Sequence, residues 1–522
     1  MYEESTAAVR KHALMSLWQL IRVVDEDPDG MISGSPYATA GVVGRLWQTP
    51  RVLPATPARL GLNALARTQN GDGSWGSPHA PARYRVLPTL AVVCALRGLA
   101  ADAPIDREWV RGAARRGSEF LFTDPEVFLP ERLPSLEAIE CTIPALLERL
   151  AKVSDADDHY RSPLRVARMF QQANAEHWAR LRARAAAGDR AAWRDVPLEL
   201  LDAPPRGWTV DPHAHDGAVA CSPVLTATAL GWRGAEFAGA ERYLCREGIR
   251  RQGLWPVLAP AVNFERATAA ALFARLGFPL PAGFTASLSA SLRSALGVEG
   301  MAFAPGLPPH ADDTAKAVFT LNSWDDPVDP RCLLRSSGAA SPLVTAHLLE
   351  ALTTVARRAG CDSYRDRQVA AVRLLVETQE LDGHWDDRTV ASPYPPTAAA
   401  AMALVRAIES EFSADALLAV ARAIAWLLAT QRPGGSWGVW HPTTEETACA
   451  VHALCVCANP SAERSVALAL RRSHIFLADC YDAATADSTR TPLWHYKDLG
   501  SPLRIERLYT LTALLMSGSP LR

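Results

Sequence analysis

Two short motifs recur along the chain and restrict it to a repetitive helical fold. Gln-x-x-x-Gly-x-Trp occurs at residues 69–75, 379–385 and 431–437, and each copy follows a stretch with helical spacing of apolar residues. Glycine permits the backbone conformation of the turn that ends a helix. The Gln amide can hydrogen-bond the backbone groups that have no partner at the helix end, and Trp can pack over the neighbouring helix. We therefore interpret this motif as a structural helix terminus.

A second motif, Thr-x5-Ala-Leu, follows each of these Trp residues. It begins at Thr89, Thr397 and Thr447, and it recurs at Thr345 and, with Thr in place of Ala, at Thr314. Thr is a favourable N-cap, so we expect a helix to start at each of these positions. Repeated helix pairs stack into a solenoid or close into a ring. We predict an all-α protein built from α/α barrels, with the Ala-rich, Thr-started helices inside and their N-termini at one end.

The length of the chain fits two such domains, and its composition excludes several classes of function. The chain has 522 residues, and its helical pattern breaks at residues 245–255, where we predict a domain boundary. Lys plus Arg (54) nearly balance Asp plus Glu (56), so no net field favours nucleic acid. Ten cysteines lack the paired spacing of a metal site and indicate a reduced, cytoplasmic protein. We find no signal peptide and no apolar run of about 18 residues, as a membrane span requires, which leaves only peripheral membrane contact open.

One Thr-started repeat alone carries paired aspartates before its Thr. Asp312 and Asp313 precede Thr314 and follow the turn-rich segment GLPPHA. One interpretation is helix capping, because aspartate in a first turn interacts favourably with the helix dipole. The other is acid catalysis, because two adjacent carboxyl groups in a dry cavity are costly to ionise together and keep one proton between them. The residues by themselves leave both interpretations open.

The string HADDTA at this pair resembles the D-x-D-D-T-A signature of class II terpene cyclases. The Gln/Trp repeats are similar to those of the wider squalene-hopene and diterpene cyclase group. Further segments resemble blocks of the same family, in the same order and over nearly the whole chain. They are SPYATA (35–40), GSWG (73–76), IECTIPALL (139–147), PVLAPAVNFERATA (256–269), SPLVTAHLLEAL (341–352), DDRTVASPY (386–394), TTEETA (443–448) and LWHYKDLGSP (493–502).

The resemblance implies a domain arrangement and a catalytic acid. It implies a β domain of residues 1–30 and 250–522, a γ domain of residues 31–249 inserted after the first helix, and an active-site cavity between these two α/α barrels. It implies that Asp312 is the proton donor, neutral at rest, and that Asp313 orients and tunes it. His310 replaces the first Asp of the family signature. We expect His310 to hydrogen-bond Asp312 and direct its proton, the alternative being an impaired enzyme.

Carbocations formed by protonating an alkene require aromatic walls and the exclusion of water. As lining residues we predict Trp324, Phe303, Phe319, Trp255 and Tyr394. The Trp residues of the three Gln/Trp repeats are assigned instead to structure.

A substrate diphosphate requires cationic contacts. The resemblance implies Arg388 and Lys497 for this role, a surface ion pair being the alternative for each. It also places Glu140 where an acidic residue can hold Mg²⁺ with the diphosphate, although capping at a helix start explains this glutamate nearly as well.

The sequence therefore predicts a class II terpene cyclase. The leading hypothesis is cyclisation of geranylgeranyl diphosphate to a bicyclic labdane-type, copalyl-like diphosphate, with the diphosphate retained. One alternative is conversion of farnesyl diphosphate to a drimane-type diphosphate. The other is a catalytically impaired α/α-barrel protein that binds isoprenoids.

Overall fold

The computed structural model describes residues 2–48, 55–99, 106–153, 158–194, 196–209, 215–233, 238–335, 341–359, 364–408, 414–457, 463–482 and 490–518. It divides into two compact units. Unit 1 comprises Met1–Met31, Pro260–Leu493 and Pro502–Arg522, and unit 2 comprises Ile32–Ala259 and Trp494–Ser501. The division differs from our predicted domain boundaries at three places, because residues 250–259 and 494–501 belong to unit 2 and residue 31 belongs to unit 1.

Helices account for nearly all regular structure in the described residues, which confirms the all-α prediction. The helices are α1 (Tyr2–Glu26), α2 (Pro36–Gln48), α3 (Ala55–Arg67), α4 (Ala82–Arg97), α5 (Arg107–Thr123), α6 (Ile139–Val153), α7 (Asp158–Phe170), α8 (Gln172–Ala186), α9 (Pro223–Arg233), α10 (Ala238–Arg250), α11 (Val262–Leu276), α12 (Ala282–Ala295), α13 (Ala311–Ser323), α14 (Cys332–Arg335), α15 (Pro342–Ala359), α16 (Arg365–Glu377), α17 (Tyr394–Ile408), α18 (Ala414–Thr430), α19 (Thr444–Cys457), α20 (Glu463–Asp482) and α21 (Leu503–Ser517). Short 3-10 helices lie at Pro125–Phe128, Pro130–Arg132, Ala192–Arg194, Leu198–Leu200 and His215–Gly217. A small antiparallel hairpin pairs β1 (Trp494–His495) with β2 (Leu499–Gly500).

Unit 1 is a ring of inner helices surrounded by outer ones. The inner helices α11, α13, α15, α17, α19 and α21 contact one another in that order, and α21 contacts α11, so the ring closes. Helices α12, α16, α18 and α20 pack outside it, each against the inner helices beside it in sequence, and α1 packs against α11 and α21. The Ala-rich α17 is buried on all sides, whereas α16 buries only one face. The Ala pattern therefore does mark the crowded inner layer.

Unit 2 repeats the alternation of inner and outer helices. Helices α2, α4 and α6 are successive neighbours, and α9 packs on the other side of α2. Helices α3, α5 and α7 pack against α2, α4 and α6 respectively, and α10 packs against α9 and α3.

The Gln/Trp motif ties two outer helices and one inner helix together. In the second copy, Gln379 Nε2 donates to the carbonyls of Gly383 and of Ala419 on the next outer helix, at 2.8 and 2.9 Å. Trp385 Nε1 donates to the carbonyl of Leu375 on the preceding helix, and the Trp385 backbone N–H donates to Thr397 Oγ1 on inner helix α17. The other two copies form the same bonds. The motif is structural, as predicted.

These bonds correct the prediction that each Thr starts a helix as its N-cap. Thr397 and Thr447 lie three residues after the first residue of their helices, and Thr89 lies seven after it. Each Thr hydroxyl accepts the backbone N–H of the preceding Trp instead of capping its own helix. The Thr therefore marks where a Gln/Trp turn docks on an inner helix.

Unit 2 contains a fourth, degenerate copy of the Trp turn that the sequence comparison missed. Trp255 is fully buried, its backbone N–H donates to Thr39 Oγ1, and its Nε1 donates to the carbonyl of Leu244. Gly253 has φ +93°, like the glycines of the other copies, but no Gln precedes it at the motif spacing. Trp255 thus has the structural role of a repeat Trp, and its role in lining a substrate cavity stays a prediction.

The third Gln/Trp turn contains two adjacent glycines that differ in how much space a side chain would have. Gly435 has φ +85°, and a Cβ there would lie 2.4 Å from the carbonyl oxygen of Arg472, whereas a Cβ on Gly434 would meet no atom within 4 Å. We expect Gly435→Ala to lower the free energy of unfolding by about 2 kcal/mol or more, because it adds left-handed strain and a backbone clash. Gly434→Ala, its matched control, should change it by less than about 0.5 kcal/mol. Urea denaturation measures both, and equal midpoints for the two variants would contradict this account of the turn.

None of the helices in the described residues combines the length and the apolar character needed to cross a bilayer.

Candidate active site

The paired aspartates lie in the first turn of inner helix α13. Asp312 is 7% exposed and Asp313 is fully buried. The segment before the helix is anchored as in the Gln/Trp turns, because the Met301 N–H donates to Thr314 Oγ1 at 2.9 Å. Gly300 makes this approach possible, since it has φ +123° and a Cβ would lie 2.6 Å from Thr314 Oγ1. The repeat geometry therefore presents both carboxyl groups at the N-terminal end of the ring.

Asp312 is held by two basic side chains. Lys316 Nζ, one turn further along α13, donates to Asp312 Oδ2 at 2.5 Å. His347 Nδ1, on α15, is 2.5 Å from Asp312 Oδ1. Burial alone would raise the pKa of Asp312, but the charges of Lys316 and His347 outweigh it and hold that pKa well below its usual range. Burial lowers the pKa of His347, so a neutral His347 donates its Nδ1–H to an ionised Asp312.

Asp313 has a separate partner. Its Oδ2 lies 3.1 Å from His310 Nδ1, and its Oδ1 is buried without a hydrogen-bond partner among the described residues.

The contacts of the two aspartates contradict two of our predictions. Asp312 and Asp313 do not keep a proton on Asp312 at rest, because Lys316 stabilises the ionised carboxylate. His310 binds Asp313 and does not bind Asp312.

The His310–Asp313 contact predicts a pH-dependent contribution to stability. The hydrogen bond to Asp313 raises the pKa of His310 above its ordinary value of 6.5. A raised folded-state pKa adds stability that is complete below about pH 6.5 and is lost as pH rises through the folded-state pKa. His310→Ala should therefore destabilise the protein at pH 5.5, by at most about 1 kcal/mol because the side chain is half exposed, and should have no effect at pH 9. Unfolding curves at both pH values test this, and an equal cost at both would contradict it.

An aromatic pair lies beside the lysine. The Phe264 ring on α11 has its centroid 5.1 Å from Lys316 Nζ, and it stacks on Phe303 at a centroid distance of 5.0 Å. Such ring faces attract cations. Of the predicted lining residues, Phe303 is thus the one that lies near the acid, through Phe264.

Three other predicted lining residues lie elsewhere in unit 1. Phe319 is 1% exposed and packs in an apolar core with Val318, Leu333 and Leu352. Trp324 follows the last residue of α13, about 18 Å along the helix axis from Asp312 at 1.5 Å per residue. Tyr394 begins α17, but its ring packs on Trp426 of outer helix α18 at 4.9 Å. The lining role of each of these three stays a prediction.

The predicted diphosphate and metal residues belong to different units, Arg388 to unit 1 and Lys497 and Glu140 to unit 2. Arg388 is exposed on the turn that precedes α17. This turn lies at the end of the ring that holds Asp312, because Asp387 Oδ2 accepts the N–H of Leu343 at the start of α15. Lys497 belongs to unit 2 and forms an ion pair there with Glu199, whose charge raises the lysine pKa against the effect of burial. Glu140 is exposed in the first turn of α6.

Within the part of the chain that the structure describes, the group of metal-ligating side chains close enough to share an ion is His310, Asp312 and Asp313. Glu140 is not a member of it. Because both Asp312 oxygens already bind Lys316 and His347, a metal ion at this cluster would lie beside an ammonium group. The residues present therefore do not fit a protein-held magnesium ion.

Sequence reasoning missed Lys316 and His347. A signal for both was present, because they occupy the same position of the inner-helix repeat, two residues after Thr314 and Thr345. The corresponding residue after Thr397 is alanine and after Thr447 is cysteine. Basic side chains at a position that is otherwise small indicate a polar partner inside the ring.

The chain is similar along its whole length to bacterial diterpene cyclases. It is 33% identical to the ent-copalyl diphosphate synthase of Streptomyces sp. (strain KO-3988), with 94% of each chain covered. It is 31% identical to the terpentedienyl-diphosphate synthase of Kitasatospora griseola, covering 92% of this chain and 96% of the relative. No protein-family model matches the chain.

Solved structures agree with these relatives. The ent-copalyl diphosphate synthase from Streptomyces platensis matches with a TM-score of 0.81 at 30% identity, covering 97% of this chain and all of that one. The ent-copalyl diphosphate synthase from Arabidopsis thaliana, solved with a geranylgeranyl thiolodiphosphate analogue, shares the fold with a TM-score of 0.53 at 15% identity, covering 96% of this chain and 78% of that one.

Proposed function

Because this chain belongs to the class II terpene cyclases, we propose that it cyclises geranylgeranyl diphosphate to a bicyclic labdane-type diphosphate. Asp312 protonates the terminal alkene, ring closure follows, and loss of a proton ends the reaction with the diphosphate retained. The observation that carries the proposal is the placement of Asp312. It is a buried carboxyl group at the N-terminal end of a closed helical ring, held in position by Lys316 and His347.

The surroundings of Asp312 suit carbocation chemistry. The Phe264–Phe303 pair offers ring faces beside the acid, and aromatic faces stabilise cations without acting as nucleophiles. Burial keeps water away from a cation that would otherwise be quenched. His347 and Lys316 fix the direction of both carboxyl oxygens, as an acid that must meet one alkene carbon requires.

The diphosphate contacts belong to the same proposal. Arg388 is exposed at the end of the ring where Asp312 lies and can bind the diphosphate from solvent. We propose that Mg²⁺, where it takes part, is carried by the diphosphate, because Glu140 offers a single exposed carboxylate. The nine cysteines among the described residues are thiols and not disulfides, which supports the proposal that the enzyme works in the reducing cytoplasm.

The alternatives are not favoured. The relatives are named as synthases of copalyl, labda-7,13-dienyl and terpentedienyl diphosphates. None of these names refers to a drimane-type product. An inactive isoprenoid-binding protein would have no need for a buried carboxylate, which is costly to desolvate, fixed by two basic groups in the ring.

Incubation with synthetic diphosphates tests the proposal. Purified protein is given geranylgeranyl or farnesyl diphosphate, with and without EDTA, and the products are dephosphorylated and identified by gas chromatography with mass spectrometry. We expect a bicyclic C20 alcohol from the first substrate. A C15 bicyclic product alone would support the drimane alternative, and no product from well-folded protein would support the binding protein.

A further inference from the structure

We propose that Lys316 is the immediate proton source for Asp312, so that the reacting proton is stored inside the protein as the lysine ammonium group. The inference rests on the proposed function and goes beyond it. It assigns to Lys316 the loading of the acid, a step that Asp312 cannot perform while it is an ionised carboxylate.

The geometry already matches a proton transfer. Lys316 Nζ and Asp312 Oδ2 are 2.5 Å apart, and both residues are buried, at 2% and 7% exposure. Thr268 Oγ1 on α11 lies 3.1 Å from the same nitrogen. A hydroxyl group can accept from an ammonium and donate to an amine, so Thr268 serves Lys316 in either protonation state. The centroid of the Phe264 ring lies 5.1 Å from the same nitrogen.

The choice of lysine at this position is informative. The chain contains 50 arginines and four lysines, at positions 11, 152, 316 and 497. Elsewhere in the ring a buried permanent cation is an arginine, as in the bidentate pair of Arg275 with Glu350. A guanidinium group stays protonated in proteins, whereas a buried lysine can release its proton. The residue beside the acid is therefore of the type that can give a proton away.

The other charged groups around the pair leave Lys316 as the donor. Arg275 is neutralised by Glu350, and His347, kept neutral by burial, already points its Nδ1–H at Asp312 Oδ1. His310 is half exposed and binds Asp313. The titratable or charged groups that face the pair are His310 just before α13, Asp313 on α13, His347 and Glu350 on α15, Arg275 on α11 and Tyr509 on α21.

The step balances without an added reactant. When the apolar substrate chain displaces water, the ion pair loses solvation and the neutral pair becomes favoured. One Nζ–H bond of Lys316 breaks and an Oδ2–H bond forms, giving an amine and a carboxylic acid. The Oδ2–H bond then breaks as a C–H bond forms on the terminal alkene. The proton lost by the final carbocation passes to solvent, and a proton from solvent restores the ammonium between turnovers.

Two substitutions separate proton storage from simple charge pairing. Lys316→Arg keeps the cation but removes the releasable proton, so we expect turnover to fall at least 100-fold at every pH. Lys316→Met removes the cation, so Asp312 must take its proton from solvent. Its activity should fall tenfold per pH unit above the pKa of Asp312, whereas the wild type should be flat from pH 6 to 9, because transfer within the pair leaves its net charge unchanged. Lys11→Met, on an exposed lysine, is the matched control and should match the wild type.

Nuclear magnetic resonance of ¹⁵N-lysine-labelled protein provides a test that needs neither turnover nor a folded Lys316 variant. Four lysines give few resonances, and Lys11→Arg, Lys152→Arg and Lys497→Arg assign three of them. The probe is 14,15-dihydrogeranylgeranyl diphosphate, which lacks the reacting alkene. We expect Lys316 to be an ammonium in the free enzyme and an amine in the complex.

The results that overturn the role of Lys316 differ from the results that refute the proposed cyclisation. An ammonium resonance that persists in the analogue complex overturns the proposal, as does a Lys316→Arg enzyme within threefold of wild type or a flat pH profile for Lys316→Met. A wild type that forms no product refutes the proposed function, and the Lys316 resonance in the complex then still decides whether the proton moves.

Discussion

Asp312→Asn is expected to lower turnover of geranylgeranyl diphosphate about 10³-fold or more, because the amide has no proton acidic enough for an alkene. The measurement is product formation by gas chromatography, together with circular dichroism and thermal unfolding to show that the variant folds. Asp415→Asn is the matched control, since Asp415 also lies in the first turn of a helix but is exposed. It should retain full activity.

The Asp312→Asn result depends on the variant folding, because the substitution leaves the buried Lys316 ammonium without its carboxylate. An unpaired buried charge costs about 3–5 kcal/mol. The double variant Asp312→Asn, Lys316→Met removes both charges and should recover most of that stability while remaining inactive. Activity above a tenth of wild type in either folded variant would reject Asp312 as the acid.

Arg275→Met should produce a large loss of stability. Arg275 on α11 donates to both carboxylate oxygens of Glu350 on α15, at 2.7 to 3.0 Å, and the two side chains are only 5% and 1% exposed. Removing the arginine leaves Glu350 buried without its main partner, which costs about 3–5 kcal/mol. Urea denaturation at pH 7 measures the loss.

Two controls and a pH dependence accompany this prediction. Arg115→Met removes an exposed ion pair with Glu119 and should cost less than about 0.5 kcal/mol. Arg275→Met with Glu350→Met removes both charges and should be much closer to wild type. Burial would raise the pKa of Glu350, but Arg275 outweighs it and lowers the pKa below the ordinary 4.5. The contribution is therefore complete above about pH 4.5 and is lost as pH falls through the folded-state pKa. A cost below about 1 kcal/mol at pH 7 would contradict the prediction.

Much of the candidate site could be read from local sequence. Asp312 and Asp313 were found because their repeat alone carries paired aspartates before its Thr, and Lys316 lies four residues after Asp312, a spacing at which helical side chains meet. The charge state of Asp312 was predicted wrongly because Lys316 was left out. Its pKa depends on groups within a few ångströms, and one of these, His347, lies 35 positions away on another helix.

The aromatic assignments show the same limit. Composition supplies candidates for a cavity wall, but it does not say which way a ring points. Phe319 shares α13 with Asp312 yet packs in the core, and Trp255 proved to be a repeat Trp whose Gln is missing. Phe303 stacks on Phe264, which lies beside Lys316 and was not predicted as a lining residue.

By itself, the sequence determined the helical repeats, the inner and outer layers and the position of the acid in the first turn of an inner helix, because hydrophobic spacing and turn chemistry act over a few residues. Tertiary structure alone decided the charge on Asp312, the partners of Asp313 and the residues beside the reacting proton. Electrostatic interactions and desolvation depend on distances between helices, and those distances exist only once the ring has closed.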